Sequence, residues 1–170
     1  MRHEEQNDAL VRKNRIALER YKFAIDCLKN RIRYIIDSGC GMGYGVNLLK
    51  REGHHVLGVD HSKQALSYAR NNYNSFYCQW NLETINLPKD FDTVVCLEVL
   101  CHLKEPQKFI DRIENKELII SAPIDPSPND GYIYRLHNLS EVDFRNLLKN
   151  WRIIKEFRQK NYLTIYCEKL

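Results

Sequence analysis

The residues best placed to do chemistry stand in one run, Ile35-Ile36-Asp37-Ser38-Gly39-Cys40-Gly41-Met42-Gly43-Tyr44-Gly45. Glycines at alternate positions strip Cβ atoms from one face of a turn, so a ligand can lie against bare backbone N–H groups. The run is not a dinucleotide fingerprint. Counted from Gly39, the last position of Gly-x-Gly-x-x-Gly is Tyr44, and counted from Gly41 it is Val46. Nor is it a P-loop, because no Gly-Lys-Ser/Thr follows. Asp37 ends the preceding apolar run and is expected to point into the ligand crevice. There a carboxylate repels a pyrophosphate and favours a cation such as an ammonium or a sulfonium. Asp60 ends the next apolar run, where a carboxylate can accept from both hydroxyls of a ribose. The pair calls for a ligand with a ribose, an adjoining positive centre and no phosphate.

The elements that must hold these residues are legible from periodicity. Leu10, Ala17, Leu18, Tyr21, Ala24, Ile25 and Leu28 share one face at helical spacing, which predicts an amphipathic helix over Leu10–Leu28. Short runs rich in β-branched residues follow at Tyr34–Asp37, His55–Asp60, Ser75–Gln79, Thr93–Leu97, Glu117–Ser121, Trp151–Phe157 and Tyr162–Cys167. Helical stretches are expected at Gly45–Arg51, Lys63–Asn71, Pro106–Ile113 and Glu141–Asn150. Strand and helix in alternation imply a parallel sheet with helices on both sides. The last two strands are separated only by Arg158–Asn161, too short for a parallel crossover, so they should form an antiparallel hairpin at one side of the sheet. The expected fold is α/β, with seven strands in three layers.

Length and composition narrow the reading. A chain of 170 residues with 44% apolar content fits a single domain and leaves no room for a second catalytic one. No apolar stretch approaches the length of a membrane span, and Met1–Asp8 is polar and charged, so a soluble, cytoplasmic protein is expected. The net charge is +4. It comes from residues 1–33, where nine basic side chains face five acids; such a bias could attract an anionic partner, and a solvated helix face explains it just as well. Beyond residue 33 the charges balance, which gives broad phosphate tracking along a nucleic acid little to rest on. The six cysteines include no Cys-x-x-Cys and no Cys/His pair at zinc spacing, so no metal is expected and the thiols read as reduced small hydrophobes.

Asp37-Ser-Gly-Cys-Gly-Met-Gly with Asp60 downstream resembles the class I S-adenosylmethionine-dependent methyltransferases, and the seven-strand order with its closing hairpin fits their Rossmann-like fold across nearly the whole chain. The resemblance implies a single methyltransferase domain over 1–170, with the N-terminal helix in 1–30 and the Rossmann-like core in 31–170. It implies S-adenosyl-L-methionine as cofactor, its methionine part held by Asp37, Gly39, Cys40, Gly41 and Gly43, and its ribose by Asp60 with His61 near the adenine. Asn81-Leu82-Glu83 matches a place where the family shows Asp-Leu-Glu, so Asn81 and Leu82 are assigned to the adenine, the Asn81 amide oxygen accepting from its amino group. Leu97-Glu98-Val-Leu-Cys101-His102-Leu103 is similar to the turn after the fourth strand in small-molecule and glycan methyltransferases, beside the methyl group, which assigns Leu97 and Glu98 to the cofactor. Glu19-Arg-Tyr21-Lys-Phe-Ala24 resembles a segment of enzymes linked to surface polysaccharides, and Tyr21 either lines the cofactor pocket or is the aromatic member of the apolar stripe.

Methyl transfer from a sulfonium needs alignment and exclusion of water more than a triad. A hydroxyl or protonated amine acceptor is helped by one base, for which His102 and His137 are the candidates. His137 lies in an unusual loop, Asp125–Leu139, with two prolines, Tyr132, Tyr134 and Arg135, the last where relatives often carry His. Asp125-Pro-Ser-Pro128 is not the amino-methylating signature of nucleic-acid enzymes, because that belongs after the fourth strand, where Cys96-Leu97-Glu98-Val99 stands. The expected acceptor is a small molecule or a glycan, with no membrane partner. Protein or RNA as acceptor, and a non-catalytic cofactor-binding subunit, are the alternatives.

Overall fold

The structure, a computed structural model, describes residues 2–124 and 135–170, with side chains from Arg15 onward. Helix α1 (Arg2–Leu28) reaches back beyond the expected start at Leu10, since residues 2–9 are rich in Glu, Gln and Ala and contain neither Gly nor Pro. After it come β1 (Tyr34–Ser38), α2 (Tyr44–Arg51), β2 (His55–Asp60), α3 (Lys63–Asn72) and β3 (Phe76–Gln79). Then follow β4 (Thr93–Leu97), a 3-10 turn at Leu100–His102, α4 (Pro106–Asp111) and β5 (Glu117–Pro123). The chain closes with α5 (Glu141–Leu147), β6 (Trp151–Gln159) and β7 (Tyr162–Lys169).

The seven strands form one sheet in the order β3-β2-β1-β4-β5-β7-β6. The first five run parallel, while β7 is antiparallel to β5 and β6 antiparallel to β7, which is the expected terminal hairpin. Strand β5 extends two residues past the sequence-based end because Ala122 and Pro123 pair with Leu163 and Tyr162 of β7. On one face α1, α2 and α3 cover Ile35, Val56, Val95 and Ile119 with Tyr21, Ala24, Leu28, Val46, Leu49, Leu66 and Ala69. On the other face α4 and α5 bring Phe109, Ile110, Phe144 and Leu148 against Ile36, Val94, Leu118 and Ile120. Alternation along each strand splits the core into these two layers.

The connection from β3 to β4 carries no helix; residues 80–92 return as turns that bury Leu82 and Leu87. Phe76 and Tyr34 are exposed at the amino ends of the strands, Tyr34 stacked on His55 with 4.7 Å between rings. The outer strand β6 protects its edge with a register shift between Ile153 and Lys155 and with Arg152, Lys155, Glu156 and Arg158.

At the amino ends, buried Glu117 ties the layers together. It accepts from Arg33 Nε at 2.9 Å and Nη2 at 2.7 Å, from Arg31 at 3.1 Å, from Thr93 Oγ1 at 2.8 Å and from the Tyr166 hydroxyl at 3.1 Å. Both carboxylate oxygens of Glu117 are thus met by donors, as a buried polar group requires. Among the described residues no helix is long and apolar enough to cross a membrane, and no His, Cys, Asp or Glu cluster is arranged for a metal ion. All six cysteines are unpaired.

Candidate active site

In a doubly wound sheet the crevice opens at the carboxyl ends of the strands, where the strand order reverses. Here that point lies between β1 and β4, with β2 beside it. The loop after β1 is pinned to β2, since Gly39 N and Cys40 N both donate to Val59 O, at 2.8 and 3.0 Å. Gly41 has φ +53°, and a Cβ built on it meets nothing within 4 Å, so its backbone is bare toward open space. Its N–H donates to Asp60 Oδ2 at 2.9 Å, while Asp60 Oδ1 accepts from Ser62 N at 2.8 Å. Two backbone donors thus fix the Asp60 carboxylate at the end of β2, with His61 Nδ1 3.4 Å from Oδ1.

A cavity of about 340 Å³ opens over these strand ends. Its wall includes Gly39, Asp60, His61, Asn81, Leu82, Leu97, Glu98 and His102, all expected from the sequence. It also includes Trp80, Glu83, Val99 and Leu103, which the sequence reading missed. Trp80, an aromatic residue next to Asn81 at the end of β3, was a usable signal; Val99 and Leu103 had none beyond ordinary apolar spacing. Among the described residues the wall carries three carboxylates, Asp60, Glu83 and Glu98, and neither Lys nor Arg.

Several expected residues stand elsewhere. Asp37 does not face the cavity: it is 1% exposed, shares the Ile35 face that α1 closes over, and accepts the Tyr21 hydroxyl on both oxygens, at 3.2 and 2.9 Å. Burial pushes its carboxyl up to about 7, the Tyr21 hydrogen bond pulling the other way. Burial and the Asp37 charge likewise hold the Tyr21 hydroxyl well above its usual range. Tyr21 is a core residue rather than part of the wall; its ring packs on Gly45, where a Cβ would fall 1.9 Å from its Cζ, and edge-on to Tyr44 at 5.3 Å. Cys40, Gly41 and Gly43 shape the loop without lining the cavity, and burial raises the Cys40 thiol. Asn81 Oδ1 accepts from Glu83 N at 2.9 Å, so its amide is partly spent on its own turn. His137 is off the wall, its Nε2 lying 3.1 Å from Lys104 O. Tyr132 and Tyr134 fall outside the described residues.

Glu98 is the unusual member of the wall. Its φ of +62° is a left-handed conformation that costs a non-glycine residue about 1–3 kcal/mol and gathers at functional sites. Ser121 holds it there, its Oγ accepting from Glu98 N at 3.0 Å and donating to Oε1 at 2.8 Å. Burial raises the Glu98 carboxyl, opposed by Arg20, the Ser121 hydrogen bond, Arg135 and His102. Arg20, on α1, places Nη1 3.4 Å from Glu98 Oε1 and its guanidinium 4.7 Å from the centre of the Tyr162 ring. Leu136 N and His137 N donate to Cys101 O, which folds the start of this described segment over the turn that carries His102.

The family model for the methyltransferase domain matches residues 36–115, which spans the glycine loop, Asp60, Asn81 and the turn through His102. The comparisons support a class I, Rossmann-like methyltransferase. It is 33% identical over 100 residues to the ubiquinone biosynthesis O-methyltransferase of Rickettsia bellii, a match covering 54% of this chain and 42% of that protein. The chain spans less than half the length of the first curated relatives it matches. Among solved structures it is similar to magnesium protoporphyrin IX methyltransferase from Synechocystis PCC 6803, with TM-score 0.78 and 19% identity over 97% of this chain and 87% of that one. It is also similar to the PH0226 protein of Pyrococcus horikoshii OT3, with TM-score 0.77 and 16% identity over 92% of this chain and 91% of that one. At such identities the structural likeness concerns the fold.

Proposed function

We propose that this methyltransferase domain binds S-adenosyl-L-methionine and moves its methyl group to an oxygen or nitrogen of a small molecule or glycan. The observation that carries the reading is Asp60: a carboxylate fixed by Gly41 N and Ser62 N, on the wall of a cavity that opens beside bare backbone. A carboxylate so fixed can accept from the adjacent hydroxyls of a ribose. A wall with three carboxylates and, among the described residues, no Lys or Arg suits a nucleoside without phosphate. His61, Trp80, Asn81 and Leu82 supply a flat, partly apolar surface next to Asp60, appropriate for the adenine. Leu97, Glu98 and Gly39 stand across the switch point, on the side assigned to the methionine part.

The bound cofactor supplies an activated methyl group. The chain's share of the work is to orient the acceptor in line, exclude water and receive a proton. His102, on the cavity wall, is the residue proposed to receive it. His137 is assigned the lesser role of fixing the segment beside it through Lys104 O. The name of the Rickettsia relative, an O-methyltransferase, supports oxygen in a small molecule over the other acceptors. Six unpaired thiols support a cytoplasmic site of action.

Titration calorimetry with S-adenosylhomocysteine tests the cofactor. Binding is expected, weakened about tenfold or more by Asp60→Ala; equal affinity of the two proteins removes the assignment. Incubation with methyl-labelled cofactor and size-fractionated cell extract then reads the acceptor, with label expected in the small-molecule fraction.

A further inference from the structure

Beyond Asp60 the cavity wall runs through Trp80, Asn81, Leu82 and Glu83, the edge proposed to face the base of the nucleoside. Trp80 N donates to Asp60 O at 3.0 Å, which sets this edge in register with the end of β2. Its backbone acceptors are engaged within the protein. Asn81 O accepts from Thr84 N at 3.1 Å and from Ile85 N at 3.0 Å, and Arg112 donates to Leu82 O at 2.6 Å and to Glu83 O at 2.7 Å.

The side-chain acceptors are engaged as well. Glu83 Oε1 accepts from Lys104 N at 2.6 Å, which ties this carboxylate to the turn that carries His102. Glu83 N lies 2.9 Å from Asn81 Oδ1. A backbone N–H can only donate, so this contact fixes which end of the Asn81 amide is oxygen. Nδ2, at the opposite end, carries the two N–H donors that Asn81 brings to the wall.

The two common purine types differ in what they present at such an edge. A 6-aminopurine offers an N–H donor at its exocyclic group, and a 6-oxopurine offers an acceptor. A carboxylate facing that group only accepts, so it holds the first and repels the second. An amide whose oxygen already has one donor keeps a lone pair for the amino group and presents N–H groups to the oxo group.

We infer that Asn81 makes the base pocket permissive, so that this chain binds the 6-oxopurine (inosine) form of its cofactor nearly as well as the adenosine form. The inference rests on the nucleoside reading above and concerns the base alone. Asp60 meets the same ribose in both forms.

S-adenosylhomocysteine and S-inosylhomocysteine share the ribose, the thioether and the amino-acid end and differ along one edge of the base, so calorimetry of the full chain with each isolates that edge. The unsubstituted chain is expected to bind the two within about tenfold of each other. Asn81→Asp keeps an oxygen for Glu83 N, and with it the turn, but exchanges the donors for a charged acceptor; it should widen the preference for S-adenosylhomocysteine about tenfold. Glu83→Gln should leave the ratio of the two affinities within about twofold of its original value. The inference is overturned if the unsubstituted chain rejects S-inosylhomocysteine by more than about tenfold, if Asn81→Asp moves the ratio by less than about threefold, or if Glu83→Gln moves it as far as Asn81→Asp does. Failure of the unsubstituted chain to bind either probe would instead remove the nucleoside reading, whereas binding of S-adenosylhomocysteine with rejection of S-inosylhomocysteine removes the permissive pocket alone.

Discussion

Asp37→Asn should make this protein more stable at pH 8 and leave it nearly unchanged at pH 4. Asp37 is 1% exposed, its hydrogen-bond donor is one tyrosine hydroxyl, and burial lifts its carboxyl to about 7. In the unfolded chain the same group titrates near 3.9. Below about pH 3.9 both states hold the proton, and the buried acid contributes its full stability. As the pH rises the unfolded chain releases the proton first, so stability falls through the interval and levels off above about 7. At about 1.4 kcal/mol per unit, a gap of about three units sets an upper bound of about 4 kcal/mol. Relaxation around a charged Asp37 reduces it, and about 2–4 kcal/mol is expected. Asparagine is neutral throughout and retains an oxygen for the Tyr21 hydroxyl, so it escapes this loss.

Urea unfolding of both proteins at pH 4.5 and pH 8 measures the effect, because other titrating groups cancel in the difference between variants. The difference should be within about 1 kcal/mol at the lower pH and favour Asp37→Asn by about 2–4 kcal/mol at the higher. Tyr21→Phe provides the converse: without its donor the Asp37 carboxyl rises further, and the interval of falling stability moves to higher pH. An equal difference at both pH values, or a less stable Asp37→Asn at pH 8, would refute the account of Asp37 as a desolvated acid.

Three further outcomes follow from packing and capping. Gly45→Ala places a methyl group into the Tyr21 ring and should cost about 1–3 kcal/mol in thermal unfolding, a loss that Tyr21→Ala in the same chain partly relieves. Glu117→Ala leaves Arg33, with its side chain 10% exposed, as an unpaired buried cation, and should cost about 3–5 kcal/mol in urea unfolding. Ser140→Ala removes the reciprocal cap at the start of α5, where Ser140 and Asp143 bond each other's backbone N–H, and should lower stability by about 1 kcal/mol.

The fold was readable because each element has a distinct period. Strands β2 and β4 begin and end where the β-branched runs do, and Asp60 could be placed at the head of the crevice because it terminates such a run. Helix ends were less legible: α4 stops at Asp111 and α5 at Leu147, short of the apolar residues that continue the helical spacing, since the chain must turn there to enter the next strand. Alternation assigns Asp37 to a face of β1, but no local signal says that α1 closes over that face with a tyrosine aimed at the carboxylate. Glu98 carries no mark of its left-handed backbone, which arises from the Ser121 contact on a neighbouring strand. Arg20 read as one more charge on a solvated helix face, and only the tertiary path of α1 makes it a buried cation.

Two arginine–glutamate pairs, one buried and one partly buried, stand at opposite ends of the same sheet, and their difference separates structure from site. At the amino ends, Arg33 meets Glu117 at 2.7 Å, and the glutamate is further satisfied by Arg31, Thr93 and Tyr166. At the carboxyl ends, Arg20 meets Glu98 at 3.4 Å, with guanidinium donors unmet among the described residues and a glutamate held in a costly backbone conformation. A fold selected for stability alone would repair the second pair as it has completed the first, since unmet buried donors and left-handed glutamates each lower the stability of the free chain. The defects coincide with the switch point, the bare backbone at Gly41 and the desolvated Asp37. Local rules broken together at one place are the mark of a surface shaped for something other than itself.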